Sequence, residues 1–213
     1  MLAKLQYISQ GNTADLQLIN IKAALEAGCR WIQLRFKNAD EEELKVTAQE
    51  VKKICSAFDA ILIINDHPHI AQAVDADGVH LGLQDIGIDE ARKILGKEKI
   101  IGGTANTLED VLQRYNEGCS YVGVGPYRFT TTKEKLSPIL GLQGYTDIMN
   151  ELSKRNIQIP VYAIGGIVLE DIADLVSIGV YGIAASGIIT HHHNKKIFVQ
   201  QINSLLYEAS HHS

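Results

Sequence analysis

Short runs of β-branched and aromatic residues alternate along this chain with longer stretches in which apolar residues recur every three or four positions. The first pattern suits strands buried on both faces, the second helices with one apolar stripe. On this pattern strands are predicted over residues 5–9, 31–35, 61–65, 78–81, 100–103, 121–125, 161–164 and 182–185. Helices are predicted over 15–27, 41–58, 67–74, 89–95, 107–117, 144–156, 170–177 and 194–209. In the second helix Leu44, Ala48, Val51 and Cys55 form the stripe. Thr107 followed by Asp110 matches an N-cap with an acid at the third helical position. Gly28, Gly118 and Gly179 stand where helices should stop.

Parallel strands need crossovers, and helices supply them. Eight βα units in strict alternation predict an α/β fold, a single (β/α)8 TIM barrel forming one domain over residues 1–213. The alternative is an open doubly wound sheet. Its GxGxxG signature is absent, since the first strand leads only to Gln10-Gly11-Asn12. A barrel gathers the C-terminal ends of its strands into one ring, so the polar clusters that follow the strands here become candidate chemistry.

Composition narrows what that chemistry can meet. Apolar content of 46% and charged content of 21% are those of an ordinary globular protein. A net charge of −5 provides no basic field for nucleic acid or an anionic membrane, so an anionic substrate must be caught by locally placed cations. No apolar run reaches the length of a membrane span, and the N-terminus lacks a signal-peptide layout. Three cysteines without a CxxC pair read as free thiols in a reducing cytoplasm. A homo-oligomer is compatible with the chain and not specified by it.

Side chains of a strand alternate between faces. Gln33, Arg35 and Lys37 therefore share the face directed at the barrel mouth, and Ile32, Leu34 and Phe36 the face directed at the helices. An amide and two cations at one strand end make an anion site, because Arg35 offers a bidentate fork and Lys37 a point charge. The competing reading for Arg35 is an internal salt bridge. Asp66 and Asp85 each sit just beyond a strand, and two carboxylates with water and phosphate oxygens suit Mg2+. Taken singly, each carboxylate also suits a helix N-cap. In the segment from Gly123 to Lys133, the hydroxyls of Thr130, Thr131 and Thr132 and the charge of Lys133 suit a phosphate cradle. Gly165-Gly166 and Ser186-Gly187 end the last two strands, where barrels often bind phosphate with backbone N–H groups. His80 reads equally as a satisfied core histidine or a catalytic one, and Trp31 as barrel filling.

Taken in order, QLRFK at 33–37, ND at 65–66, ADGVHLGLQD at 76–85, GVGPYRFTTTK at 123–133, AIGGI at 163–167 and the strand end at Ser186 resemble the thiamine phosphate synthase family. The resemblance implies condensation of a hydroxymethylpyrimidine diphosphate with a thiazole phosphate, giving thiamine phosphate and pyrophosphate. It implies small phosphorylated substrates and Mg2+. Gln33, Arg35, Lys37, Asn65, Thr104 and Lys133 would hold the pyrimidine diphosphate, with Arg35, Lys37 and Lys133 also catalytic. Asp66 and Asp85 would hold the metal, and Thr130, Thr131, Thr132, Gly166, Ser186 and Gly187 the thiazole phosphate. Three positions depart from the family: Phe36 stands where an acidic or polar residue is usual, Thr104 where serine is usual, and Gly187 where serine is frequent. The alternatives are the sister family of thiazole tautomerases and a non-catalytic binder of thiamine precursors. The tautomerase pattern places a histidine after the sixth strand, where this chain has Gly125-Pro126-Tyr127.

Overall fold

The computed structural model of the chain describes residues 2–129 and 138–208. In order, the first half holds β1 (Leu5–Ile8), α1 (Ala14–Ala27), β2 (Trp31–Leu34), α2 (Glu41–Ala57), β3 (Ile61–Asn65), α3 (Pro68–Ala73), β4 (Gly78–Leu81) and α4 (Ile88–Leu95). The second half holds β5 (Ile100–Ala105), α5 (Leu108–Asn116), β6 (Tyr121–Val124), α6 (Gly141–Lys154), β7 (Val161–Ile164), a 3-10 turn (Leu169–Asp171), α7 (Ile172–Ser177), β8 (Gly182–Ala185), α8 (Gly187–Thr190) and α9 (Lys195–Glu208). The eight strands pair in parallel in chain order and β8 closes on β1. The chain therefore forms the (β/α)8 barrel that its alternation predicts.

Local signals set most element ends. Thr107 and Asp110 form the full capping box at the start of α5. Gly28 ends α1 with φ of 112°, a left-handed conformation that costs a side chain but not glycine. The predicted ends differ from the observed ones in three informative places. β2 stops at Leu34, so Arg35 and Lys37 lie just beyond the ladder. β5 runs on to Ala105, which puts Thr104 inside a strand. One turn of helix, α8, precedes α9 and is unpredicted, because four residues are too few to display a helical period.

Parity along the strands separates two cores. Residues such as Ile32, Leu34, Leu62, Ile64, Val79 and Leu81 face the helices and belong to the large outer core. The opposite parity fills the barrel. Trp31, Ile63, Tyr121 and Tyr162 plug its N-terminal end, with Trp31 edge-on to both tyrosines at ring separations of 4.9 Å. Tyr162 anchors the plug by donating its hydroxyl to the Ala3 carbonyl at 2.7 Å. Further along the same inward parity come Gln33, Asn65, His80 and Thr104, so polarity rises toward the C-terminal mouth. Among the described residues no helix is long and apolar enough to cross a membrane.

Candidate active site

The end of β2 delivers a graded series of groups. Gln33 is 2% exposed and donates its amide to Asn65 Oδ1 at 2.7 Å, while its own Oε1 is buried with no partner among the described residues. Arg35 is half-buried and Lys37 exposed. The turn that carries them is fastened from neighbouring elements. The Arg35 N–H donates to Ser9 Oγ at 2.9 Å, and Gln17 Nε2 donates to the Arg35 carbonyl at 3.2 Å. Burial lowers the Arg35 pKa, and the Asp66 charge works against that shift. Among the described residues no ion pair consumes Arg35, which disfavours the internal salt bridge and leaves its fork available to an anion.

The two aspartates converge. Asp66 follows β3 with φ of 64°, a region that non-glycine residues rarely adopt, and its N–H is held by the His80 carbonyl at 2.9 Å. It is not a cap, because His67 occupies the N-cap of α3 and no side chain caps that helix. Asp85 is not a cap either, since Gly87 occupies the N-cap of α4; its Oδ2 instead accepts the Gly82 N–H at 2.6 Å. The Asp85 carboxylate comes within hydrogen-bonding reach of Asp66. Burial, then the facing Asp85, pushes the Asp66 pKa up to about 6 despite the opposing charges of Lys37 and Arg35. Two hard oxygen donors that repel each other at neutral pH fit a divalent cation, which removes the repulsion. No group of three or more histidine, cysteine or acidic side chains suited to a metal occurs among the described residues, so such an ion would take its remaining ligands from substrate and water.

Across the mouth the loops after β7 and β8 line a cavity of about 280 Å3 together with Arg35, Gln10 and Pro126. Arg35 thus faces both halves of the mouth: it feels Asp66 and it lines the β7–β8 cavity. Gly165 and Gly166 have φ of 89° and 71°. A Cβ on Gly166 would lie 2.4 Å from Arg128 Cγ. Arg128 clamps this loop, donating to the Gly166 carbonyl at 2.7 Å and pairing with both oxygens of Asp171, at 2.5 and 2.9 Å. Burial acts to raise the Asp171 pKa, but the bonds from Arg128 and the Val168 N–H outweigh it and hold the carboxyl below its ordinary value. Gly166→Ala is expected to cost about 1–3 kcal/mol, since alanine would meet both a left-handed backbone and the Arg128 stem. Denaturant melts of the two proteins measure the loss directly.

Ser186 donates its hydroxyl to the Ile8 carbonyl at 2.7 Å, which leaves backbone N–H groups as the donors this turn offers to a phosphate. The first N–H groups of α8, at Gly187 and Ile188, have no intrahelical acceptor, and both residues line the same cavity. Thr104 and His80 meet inside the barrel, with His80 Nε2 3.1 Å from Thr104 Oγ1 and Nδ1 3.0 Å from the Tyr121 hydroxyl. His80 is therefore the bonded core histidine of the two readings. Thr130, Thr131, Thr132 and Lys133 lie outside the described residues.

Sequence reasoning gave no role to Arg114, Arg128, Asp171 or Gln10. Arg114 is nearly fully buried and donates to the Gly82 carbonyl at 2.9 Å and the Thr104 carbonyl at 3.3 Å, joining the Asp85 loop to the end of β5. Gly103 is small because a Cβ there would lie 2.7 Å from Arg114 Cδ. The Gly102-Gly103 pair is the trace that this bulky neighbour leaves in the sequence.

Comparison with known proteins bears on what this mouth does. Residues 7–189 match the family model for thiamine monophosphate synthase. The chain is 58% identical over 207 residues to the thiamine-phosphate synthase of Flavobacterium johnsoniae, covering 97% of this chain and 98% of that protein. It is 50% identical over 188 residues to the thiamine-phosphate synthase of Bacteroides thetaiotaomicron, covering 88% and 90%. The solved thiamine phosphate pyrophosphorylase from Pyrococcus furiosus superposes with a TM-score of 0.84 at 30% identity, covering 97% of this chain and 96% of that one. The ordered strand-end motifs and these full-length matches agree: the chain belongs to the thiamine monophosphate synthase family.

Proposed function

We propose that this chain carries out its family's transferase reaction at the barrel mouth with Mg2+, joining a hydroxymethylpyrimidine diphosphate to a thiazole phosphate with release of pyrophosphate. The observation that carries the reading is the position of Arg35, between a converged carboxylate pair and a separate cavity lined by the Gly165-Gly166 and Ser186-Gly187 turns. One mouth then offers a diphosphate side and a monophosphate side, as a reaction between two phosphorylated molecules requires.

On the diphosphate side, Arg35 and Lys37 meet the charge that grows on the leaving pyrophosphate as the methylene C–O bond breaks. The unpartnered Oε1 of Gln33 suits the exocyclic amine of an aminopyrimidine, and its bond to Asn65 holds both amides in one orientation. The ring of such a pyrimidine stabilises cationic character at the methylene, and the thiazole nitrogen attacks there. Asp66 and Asp85 would hold Mg2+, which supplies charge neutralisation of the diphosphate. On the monophosphate side, Gly166 and the Gly187–Ile188 N–H groups would bind the thiazole phosphate, and Thr130, Thr131, Thr132 and Lys133 belong to the same reading by their sequence. No protein nucleophile is needed, so most of the rate comes from orientation and charge placement. The tautomerase reading is disfavoured because Gly125-Pro126-Tyr127 supplies no acid–base histidine after β6.

Turnover of both substrates to thiamine phosphate and pyrophosphate, with and without Mg2+, tests the proposal. Failure to form product under either condition would refute it. The Asp66 pKa adds a pH signature. Below about pH 6 Asp66 holds a proton that the cation must displace, so Mg2+ affinity is expected to fall as pH drops from 7 to 5, by up to about tenfold per unit below that pKa. Isothermal titration across that range measures it. The sign for stability is the reverse of an ordinary salt bridge. The raised pKa contributes stability below the ordinary carboxylate value of about 4, and that contribution is lost as pH rises through about 6. Without metal, Asp66→Asn should therefore melt higher than the parent at pH 8, by about 1 kcal/mol after solvent screening.

A further inference from the structure

A line of hydrogen bonds runs up the barrel interior to the mouth. Gln6 on β1 donates its side-chain amide to the Tyr121 hydroxyl at 3.1 Å. That hydroxyl lies 3.0 Å from His80 Nδ1, and His80 Nε2 lies 3.1 Å from Thr104 Oγ1. Gln6, Tyr121 and His80 are all buried. Thr104 is the half-buried end of the line, on the diphosphate side.

The direction of the line follows from counting protons. The buried Tyr121 oxygen accepts from Gln6, and among the described residues His80 Nδ1 is the acceptor in place for its single proton. A neutral imidazole that accepts at Nδ1 carries its proton on Nε2. That proton points at Thr104 Oγ1, whose own hydroxyl hydrogen is then left to turn outward to the mouth. We propose that Gln6, Tyr121 and His80 are positioning residues that lock Thr104 as an outward hydrogen-bond donor to the diphosphate. Burial raises the Tyr121 pKa, so the phenol keeps the proton that the line depends on. The backbone also makes room for the line. A Cβ on Gly102 would lie 2.1 Å from Tyr121 Cζ, and one on Gly123 would lie 3.2 Å from His80 Cε1. The inference rests on the proposed function, which places a diphosphate at Thr104.

The line also accounts for threonine at this position. With Oγ1 fixed by His80, the γ-methyl limits rotation and leaves the hydroxyl one dominant direction. With the opposite tautomer, Nε2 would take the threonine proton and the diphosphate would face only lone pairs.

The test combines spectroscopy with a double-mutant cycle. In the unliganded protein, nitrogen NMR of His80 is expected to show the Nε2–H tautomer, and Tyr121→Phe to shift it toward Nδ1–H. Thr104→Val should lower kcat/KM for the pyrimidine diphosphate about 10- to 100-fold, the loss of one hydrogen bond to a charged group, with KM for the thiazole phosphate unchanged. Tyr121→Phe should reduce the same parameter about tenfold, and the double variant should be no worse than Thr104→Val alone. His80→Gln, which can keep an N–H facing Thr104, should retain more activity than His80→Leu. An Nδ1–H tautomer in the parent protein, additive losses in the cycle, a silent Thr104→Val or equal loss toward both substrates would each overturn the relay. Failure of the functional reading shows separately, as no turnover by the parent protein.

Discussion

Replacement of Asp85 by alanine is expected to lower turnover about 10²- to 10³-fold while leaving the fold intact, the magnitude typical of removing one group that stabilises transition-state charge. The fold should survive because Asp85 is exposed and the Gly82 N–H that it accepts can be satisfied by water instead. The Gly82 loop is held independently by Arg114 through the Gly82 carbonyl. The loss should fall on Mg2+ dependence: the variant should need far more Mg2+ for half-maximal rate, and calorimetry should show weak or absent binding of the ion. Asp66 should report the same event from the other side. With the facing charge removed, its pKa falls back toward the ordinary carboxylate range, because Asp85 is, after burial, the main cause of its elevation. Near-normal activity with unchanged Mg2+ dependence in Asp85→Ala would refute the carboxylate pair as the metal site.

The second large effect is expected at Arg35. Arg35→Met keeps the length of the stem and removes the charge, so it separates packing from electrostatics. The expected loss in kcat/KM is about 10²- to 10³-fold, with KM raised for both substrates, because Arg35 both faces the Asp66 side and lines the β7–β8 cavity. Arg35→Lys should recover only part of that loss, since a point charge cannot engage two acceptors as the guanidinium fork does. The Asp66 pKa should rise further in Arg35→Met, because a cation that lowers it is gone. Steady-state kinetics with each substrate varied in turn decides the matter: an effect on the pyrimidine diphosphate alone would confine Arg35 to one half of the mouth.

Much of this site is legible in the chain because strand parity is a local property. Gln33, Arg35 and Lys37 fall on the mouth side and Phe36 in the helix-side core, as their alternation requires, even though β2 ends at Leu34. Trp31 fills the barrel for the same reason. Asp66 and Asp85 are legible as carboxylates beyond strands, but their release from capping duty depends on where α3 and α4 begin. The Ser186 hydroxyl is committed to the Ile8 carbonyl on the strand that closes the barrel. Nothing near Ser186 in the sequence reveals that partner.

By itself the sequence determined the alternation of eight strands and helices, the face on which each strand residue lies, and the chemical character of each strand end. These follow from periods of two and of about three and a half residues, which are written into any short window. Only the tertiary structure decided which of those ends meet. Asp66 reaches Asp85 because β3 and β4 are neighbours. Arg128 clamps the Gly166 loop across 38 residues, and Gln6 reaches Tyr121 across 115. The contacts that orient the site join residues far apart in the chain and leave no periodic trace. Barrel closure, which brings β8 back to β1, is what makes a single mouth of them.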